Sequence, residues 1–227
     1  MIYENFKKYK YVREYDETFD IPQSLIESLL QKTWEVTPSK NNFMPYSVWI
    51  IGTDSQFYKD CVYRLCLEKE CESDSRQELN DFIRERYTNN NIEPQFSNVQ
   101  NCSYLLIFTQ RFEDKLNPWQ EFTFKNGRNF EQVDSVNPGR SLVGSSIEIG
   151  MFANTFGGLC LENNIDISHT LCHPHHSKAW QKYFPFIKNR VILIMTVGKG
   201  LRYRQETLGE LENHDLKPDF DRIVKFI

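Results

Sequence analysis

Two short runs, SYLLIFT (Ser103 to Thr109) and RVILIMTVG (Arg190 to Gly198), are almost continuously apolar and rich in Leu, Ile and Val. A strand that meets water on one face alternates apolar and polar residues, whereas a strand covered on both faces does not. These runs therefore predict the buried centre of a sheet, with helices flanking it. YSVWIIG (Tyr46 to Gly52) reads as a further strand, because it is rich in aromatic and β-branched residues and ends at glycine.

The helices follow from capping and periodicity. Asp20-Ile21-Pro22 opens QSLIESLLQKTW, in which Leu25, Ile26, Leu29 and Leu30 share one face, and this helix should end before Pro38. Helical stretches are predicted from about Asp54 to Cys71, with Asp54 as cap, and from about Ser73 to Tyr87. TNNNIEPQFSNVQN reads as a loop. SLVGSSIEIGMFANTFGGLCLEN makes a helix of about six turns. Its apolar residues surround most of it, with Gly144, Gly150, Gly157 and Gly158 among them, so it belongs in a core or a subunit interface. Cys61, Cys66 and Cys71 recur every five residues, which scatters them around a helix, and they read as reduced packing residues.

With 227 residues, 40% of them hydrophobic, the chain is long enough for one sizeable core, and a single domain over residues 1–227 is expected. A net charge of -4 offers no extended basic surface, so nucleic acid is not an expected partner. No apolar run reaches the roughly 20 residues that span a bilayer, and MIYENFKKYKYVREY lacks a signal-peptide core, so a soluble cytoplasmic protein without membrane attachment is expected. GxGxxG, GxxxxGK[ST] and GxSxG are all missing, which leaves Rossmann, P-loop and nucleophile-elbow chemistry unsupported. Glu162 and Asp166 read as solvated helix-end charges.

Three segments have the composition of a site. TPSKNNFMPYSVWIIG (Thr37 to Gly52) sets small and amide side chains beside an apolar strand, which suits a planar heterocycle with polar edges, although on spacing alone an ordinary connecting loop is the commoner reading. KYKYVREY and KGLRYRQ each space cations so that one phosphate can bridge them, and each also fits a solvated basic patch. HTLCHPHH (His169 to His176) holds four of the five histidines and suggests metal. However, Pro174 opposes a helix through it, and no second ligand segment such as CxxC or HxxxH stands elsewhere, so no metal is expected.

Taken in order, these pieces resemble the nitroreductase family of FMN-dependent oxidoreductases. Pro38, Ser39, Asn42 and Pro45 match the family's Pro-Ser-x-x-Asn-x-Gln-Pro-Trp loop, with Met44 in place of glutamine and Tyr46 in place of tryptophan. YKYVREY resembles its opening basic motif through Lys10 and Arg13, with Tyr11 where serine is usual. RVILIMTVGKGLRYRQ resembles its last core strand followed by two cations, here Arg202 and Arg204.

The resemblance implies an α+β fold with a central mixed, mainly antiparallel sheet flanked by helices, in a homodimer with FMN at the subunit interface. It implies cofactor contacts from Lys10, Tyr11, Arg13, Pro38, Ser39, Lys40, Asn42, His169, Thr170, Leu171, Cys172, Arg202 and Arg204. A main-chain N–H at Leu171 or Cys172 would face flavin N5, and Phe122, Phe124 and Phe130 would lie over the substrate or pack in the core. The implied activity is ping-pong hydride transfer from NAD(P)H to a nitroaromatic, quinone or similar electron-poor acceptor, with no catalytic side chain. Reductive dehalogenation, flavin destruction and flavin storage are the alternatives on the same fold. His173 to His176 would be exposed loop and cap residues.

Overall fold

The computed structural model describes residues 11–39, 42–89, 97–112, 118–127, 142–203 and 223–224. Its core is a four-stranded antiparallel sheet in the order β2-β3-β5-β4, formed by Tyr46–Ile51 (β2), Tyr104–Gln110 (β3), Asp166–Thr170 (β4) and Val191–Gly198 (β5). β3 is buried along its whole length and β5 almost so, as their unbroken apolar runs require. Successive side chains point to opposite faces. Leu105 and Ile107 therefore enter one core, and Leu106 and Phe108 the other.

Helices close both faces. Ile26 and Leu29 of α1 (Gln23–Val36) and Ile149, Phe152 and Phe156 of the central helix α6 (Leu142–Glu162) cover one. Val62, Leu65 and Cys66 of α2 (Gln56–Cys71), Leu79 of α3 (Arg76–Ile83), and Trp180 and Phe184 around α7 (Ser177–Trp180) cover the other. Cys61 and Cys66 are buried and Cys71 partly so, all as free thiols. Along α6 the apolar circumference divides, because Ile149 and Phe156 reach the sheet while Val143, Ile147 and Met151, four residues apart, stay exposed. No helix among the described residues is long and apolar enough to cross a membrane.

Two local readings need correction. Ser55, not Asp54, stands at the N-terminus of α2. The polar segment after Thr88 contains a short helix, α4 (Ser97–Asn101), where a loop was expected. It persists because Val99 is buried and Asn98 donates to the Val12 carbonyl at 3.1 Å. Buried Lys59 donates to the carbonyls of Cys102 and Ser103, at 2.6 and 3.3 Å, and so supports the chain between α4 and β3.

A second, two-stranded sheet pairs Val12–Tyr15 (β1) with Gly200–Tyr203 (β6), antiparallel. It is pinned to the first by Tyr15, whose hydroxyl donates to the Thr196 carbonyl at 3.0 Å. The Tyr15 ring lies where a side chain at residue 198 would be, since a Cβ on Gly198 would meet it at 2.6 Å. Glycine there lets β1 dock on β5.

Candidate functional site

The loop between α1 and β2 is organised around Ser39. Its hydroxyl donates to Glu148 Oε2 on α6 at 2.6 Å, and its oxygen accepts the Met44 N–H at 2.9 Å. The Asn42 N–H donates to the Ser39 carbonyl at 3.1 Å. Asn42 and Met44 both have left-handed backbones, with φ of 54° and 45°. Asparagine tolerates that region better than methionine does, so Met44 depends on its bonds to stay there. Arg111, just past β3, donates Nε to the Met44 carbonyl at 2.9 Å and Nη2 to that of Phe43. Glu148 is buried beside Tyr46, whose phenol is pushed well above its usual range by burial first and then by the Glu148 charge, with Arg111 opposing.

Sequence reading passed over Glu148 and Arg111. Glu148 had a signal, because it is the only charged residue between Leu142 and Leu161. A carboxylate on such a helix is rarely buried without a partner. Arg111 had none, since its role depends on β2 and β3 lying side by side.

At the other end, the β1–β6 ladder sets Glu14 opposite Arg202 and Val12 opposite Tyr203. The two basic segments thus lie on adjacent strands. Arg202 Nε pairs with Glu14 Oε2 at 3.2 Å, and the Arg13 guanidinium stacks 5.3 Å from the Tyr11 ring centre. Asp166 is not the solvated charge expected. It accepts the Gly200 N–H at 2.9 Å and the Tyr203 hydroxyl at 3.2 Å and pairs with Lys199 at 3.4 Å, which anchors the start of β6.

HTLCHPHH divides between strand and turn. His169 and Thr170 end β4, and Leu171 and Cys172 follow it exposed. The Cys172 N–H donates to Thr170 Oγ1 at 3.2 Å. His173, expected to be exposed, is fully buried between the His175 and Trp180 rings, at 4.7 and 5.8 Å. It is drawn in because Trp180 Nε1 donates to the Pro174 carbonyl at 2.6 Å, folding the turn onto the core. His173 Nδ1 lies 3.3 Å from that same carbonyl, while its Nε2 is buried with no partner among the described residues. Burial lowers its pKa to about 4, and burial lowers that of His169 too. His176 is exposed and caps α7 by accepting the Ala179 N–H at 3.3 Å, as expected. His175 Nδ1 lies 3.1 Å from the Val191 carbonyl. Among the described residues no three His, Cys, Asp or Glu side chains converge as metal ligands.

Beside Leu171 opens a mainly apolar cavity of about 410 Å³, walled by Leu142, Ile149, Ile192 and Leu193, with Ser146, His175 and Arg190 as its polar groups. It lies between the first turns of α6 and the start of β5.

The architecture recurs in solved structures. A nitroreductase-like protein from Streptococcus mutans superposes with a TM-score of 0.69 at 18% identity, over 99% of this chain and 98% of the other. The chain has a nitroreductase-like fold. A protein from Staphylococcus epidermidis named as an NAD(P)H:FMN oxidoreductase gives a TM-score of 0.67 at 13% identity, over 100% and 96% of the two chains. One from Exiguobacterium sibiricum, named as a nitroreductase and solved in complex with FMN, gives 0.60 at 15% identity, over 93% and 97%. No protein-family model and no curated protein matches the sequence.

Within this nitroreductase-like fold, Pro38, Ser39 and Asn42 lie on one loop, Leu171 and Cys172 at the end of β4, and Tyr11, Arg13 and Arg202 around the β1–β6 pair. Lys10, Lys40, Arg204 and Phe130 fall outside the described residues, as does the side chain of Phe124. Phe122 is exposed on α5 (Pro118–Lys125) and makes no part of the core.

Proposed function

We propose that the protein is an FMN-dependent oxidoreductase that draws reducing equivalents from NAD(P)H and delivers them to nitroaromatic, quinone or similar electron-poor acceptors, working as a homodimer. The observation that carries this reading is the position of Leu171, exposed just past the last paired residue of β4 and beside a mainly apolar cavity of about 410 Å³. A pocket of that size and polarity suits a flat ring with a few polar edges. The FMN bound by the Exiguobacterium neighbour and the name of the Staphylococcus neighbour support the choice of cofactor and donor.

The donor set of the chain fits FMN. Arg13 and Arg202, with Lys10 and Arg204, would hold the phosphate, since guanidinium groups bind it in bidentate fashion. Glu14 already pairs with Arg202 and would orient it. Pro38, Ser39, Lys40 and Asn42 would line the ring across the subunit boundary. Because Thr170 occupies the Cys172 N–H, Leu171 is the better main-chain donor to the ring edge, where it would favour developing negative charge. FMN, when bound, would supply the redox chemistry. The protein's part is to position it, keep water from one face of it and admit donor and acceptor in turn. The exposed Val143, Ile147 and Met151 stripe would pack against its copy in the partner.

Titration with FMN and with riboflavin separates the phosphate site from the ring site. Arg13→Ala or Arg202→Ala should weaken FMN about tenfold or more, the effect of one lost charge-assisted hydrogen bond, and leave riboflavin binding nearly unchanged. Equal loss for both ligands would contradict the phosphate assignment.

A further inference from the structure

A buried carboxylate on an apolar helix is costly unless its oxygens are bonded. Glu148 sits between Ile147, which is exposed, and Ile149, which is buried against the sheet. It therefore lies where the core-facing side of α6 turns to the open side. Packing does not need an acid there, because an apolar residue of similar volume would fill the space without losing hydration. The carboxylate instead reaches a residue 109 positions away in sequence, accepting the Ser39 hydroxyl at 2.6 Å, a length typical of O–H donation to an ionised acceptor.

Ser39 passes that restraint on. Its oxygen accepts the Met44 N–H, and its carbonyl accepts the Asn42 N–H. These are the two left-handed residues among those described in the loop. Arg111 holds the carbonyls of Phe43 and Met44 from the sheet side. Of these restraints, only the one from Glu148 comes from the helix whose other face is open.

We propose that Glu148 is a positioning residue for the flavin-lining loop: through Ser39 it locks Asn42 and Met44 in their binding shape and ties that shape to the central helix. The inference rests on the FMN reading above. It makes the open face of α6 and the loop parts of one rigid unit, so packing at that face would be felt where the ring binds.

The test uses Glu148→Ala, Glu148→Gln, Ser39→Ala and the Glu148→Ala/Ser39→Ala pair. FMN affinity is read by quenching of flavin fluorescence, the ring's surroundings by the visible spectrum of bound flavin, and the lock itself by amide hydrogen exchange at Asn42 and Met44 without flavin. Glu148→Ala and Ser39→Ala should each weaken FMN about tenfold. Both should shift the bound spectrum towards that of free flavin and speed exchange at Met44. Glu148→Gln keeps an acceptor for Ser39 and should recover most of the affinity. The pair should bind no more weakly than the worse single variant, because both substitutions break one connection.

Unchanged Met44 exchange in Glu148→Ala overturns the inference whether or not FMN binds. Effects that multiply in the pair, or lower thermal stability with unaltered FMN affinity and spectrum, also overturn it. Faster exchange in a protein whose wild type takes up no FMN overturns the flavin reading and leaves the lock standing. Should Glu148→Ala fail to fold, Ser39→Ala and Glu148→Gln carry the same comparison.

Discussion

Replacing Ile147 with glutamate is expected to split the proposed homodimer and to abolish flavin binding with it. Ile147 is 59% exposed in the single chain and lies midway between Val143 and Met151, so the substitution leaves the protomer's own core untouched. In a two-fold interface formed by this stripe, each protomer would bury a charge facing its copy, and the penalty would appear twice. The dissociation constant should rise on the order of a thousandfold, as a combined penalty of about 4 kcal/mol requires. Light scattering coupled to size-exclusion chromatography gives the mass, and flavin absorbance in the same peak gives occupancy. The expected result is a folded, colourless monomer. A dimer of undiminished stability would place the interface elsewhere, and a wild type that is monomeric at high concentration would contradict the homodimer itself.

Acid should destabilise the fold through His173. Burial holds this imidazole neutral, with its pKa lowered from 6.5 to about 4. The unfolded chain binds a proton at this residue from about pH 6.5 downwards, whereas the folded chain does so only near pH 4. Stability is therefore complete above pH 6.5 and is lost progressively as pH falls towards 4, by about 3 kcal/mol in total. His169 shifts in the same direction and adds to the slope. Urea unfolding at several pH values should show the slope in the wild type and less of it in His173→Phe, which keeps a ring against Trp180. Equal slopes in the two proteins would remove His173 as the cause.

The central strands were legible because burial on both faces leaves its mark on every residue, as in Leu105 to Phe108. β4 was not, since DISHT has little strand character of its own. It exists by pairing with β5, Asp166 opposite Gly198 and Thr170 opposite Ile194. The helix at Ser97–Asn101 was hidden for a similar reason, its stability coming from Val99 and the bond from Asn98 to β1 rather than from local preference. The Pro38–Asn42 loop was readable from residue types, but its anchor was not, because Glu148 is distant in sequence. The histidine cluster showed its chemistry without its environment: only the structure reveals that His173 is buried against Trp180 while His176 caps a helix in solvent.

The proposed function requires FMN in a pocket open to a nicotinamide donor and an electron-poor acceptor. The most direct measurement is the visible absorbance of the FMN-reconstituted protein, held free of oxygen, as NADH or NADPH and then a nitroaromatic are added. The flavin band should bleach with the donor and return with the acceptor. A protein that takes up no FMN, or whose bound flavin keeps its band under excess NADH and NADPH, would contradict it.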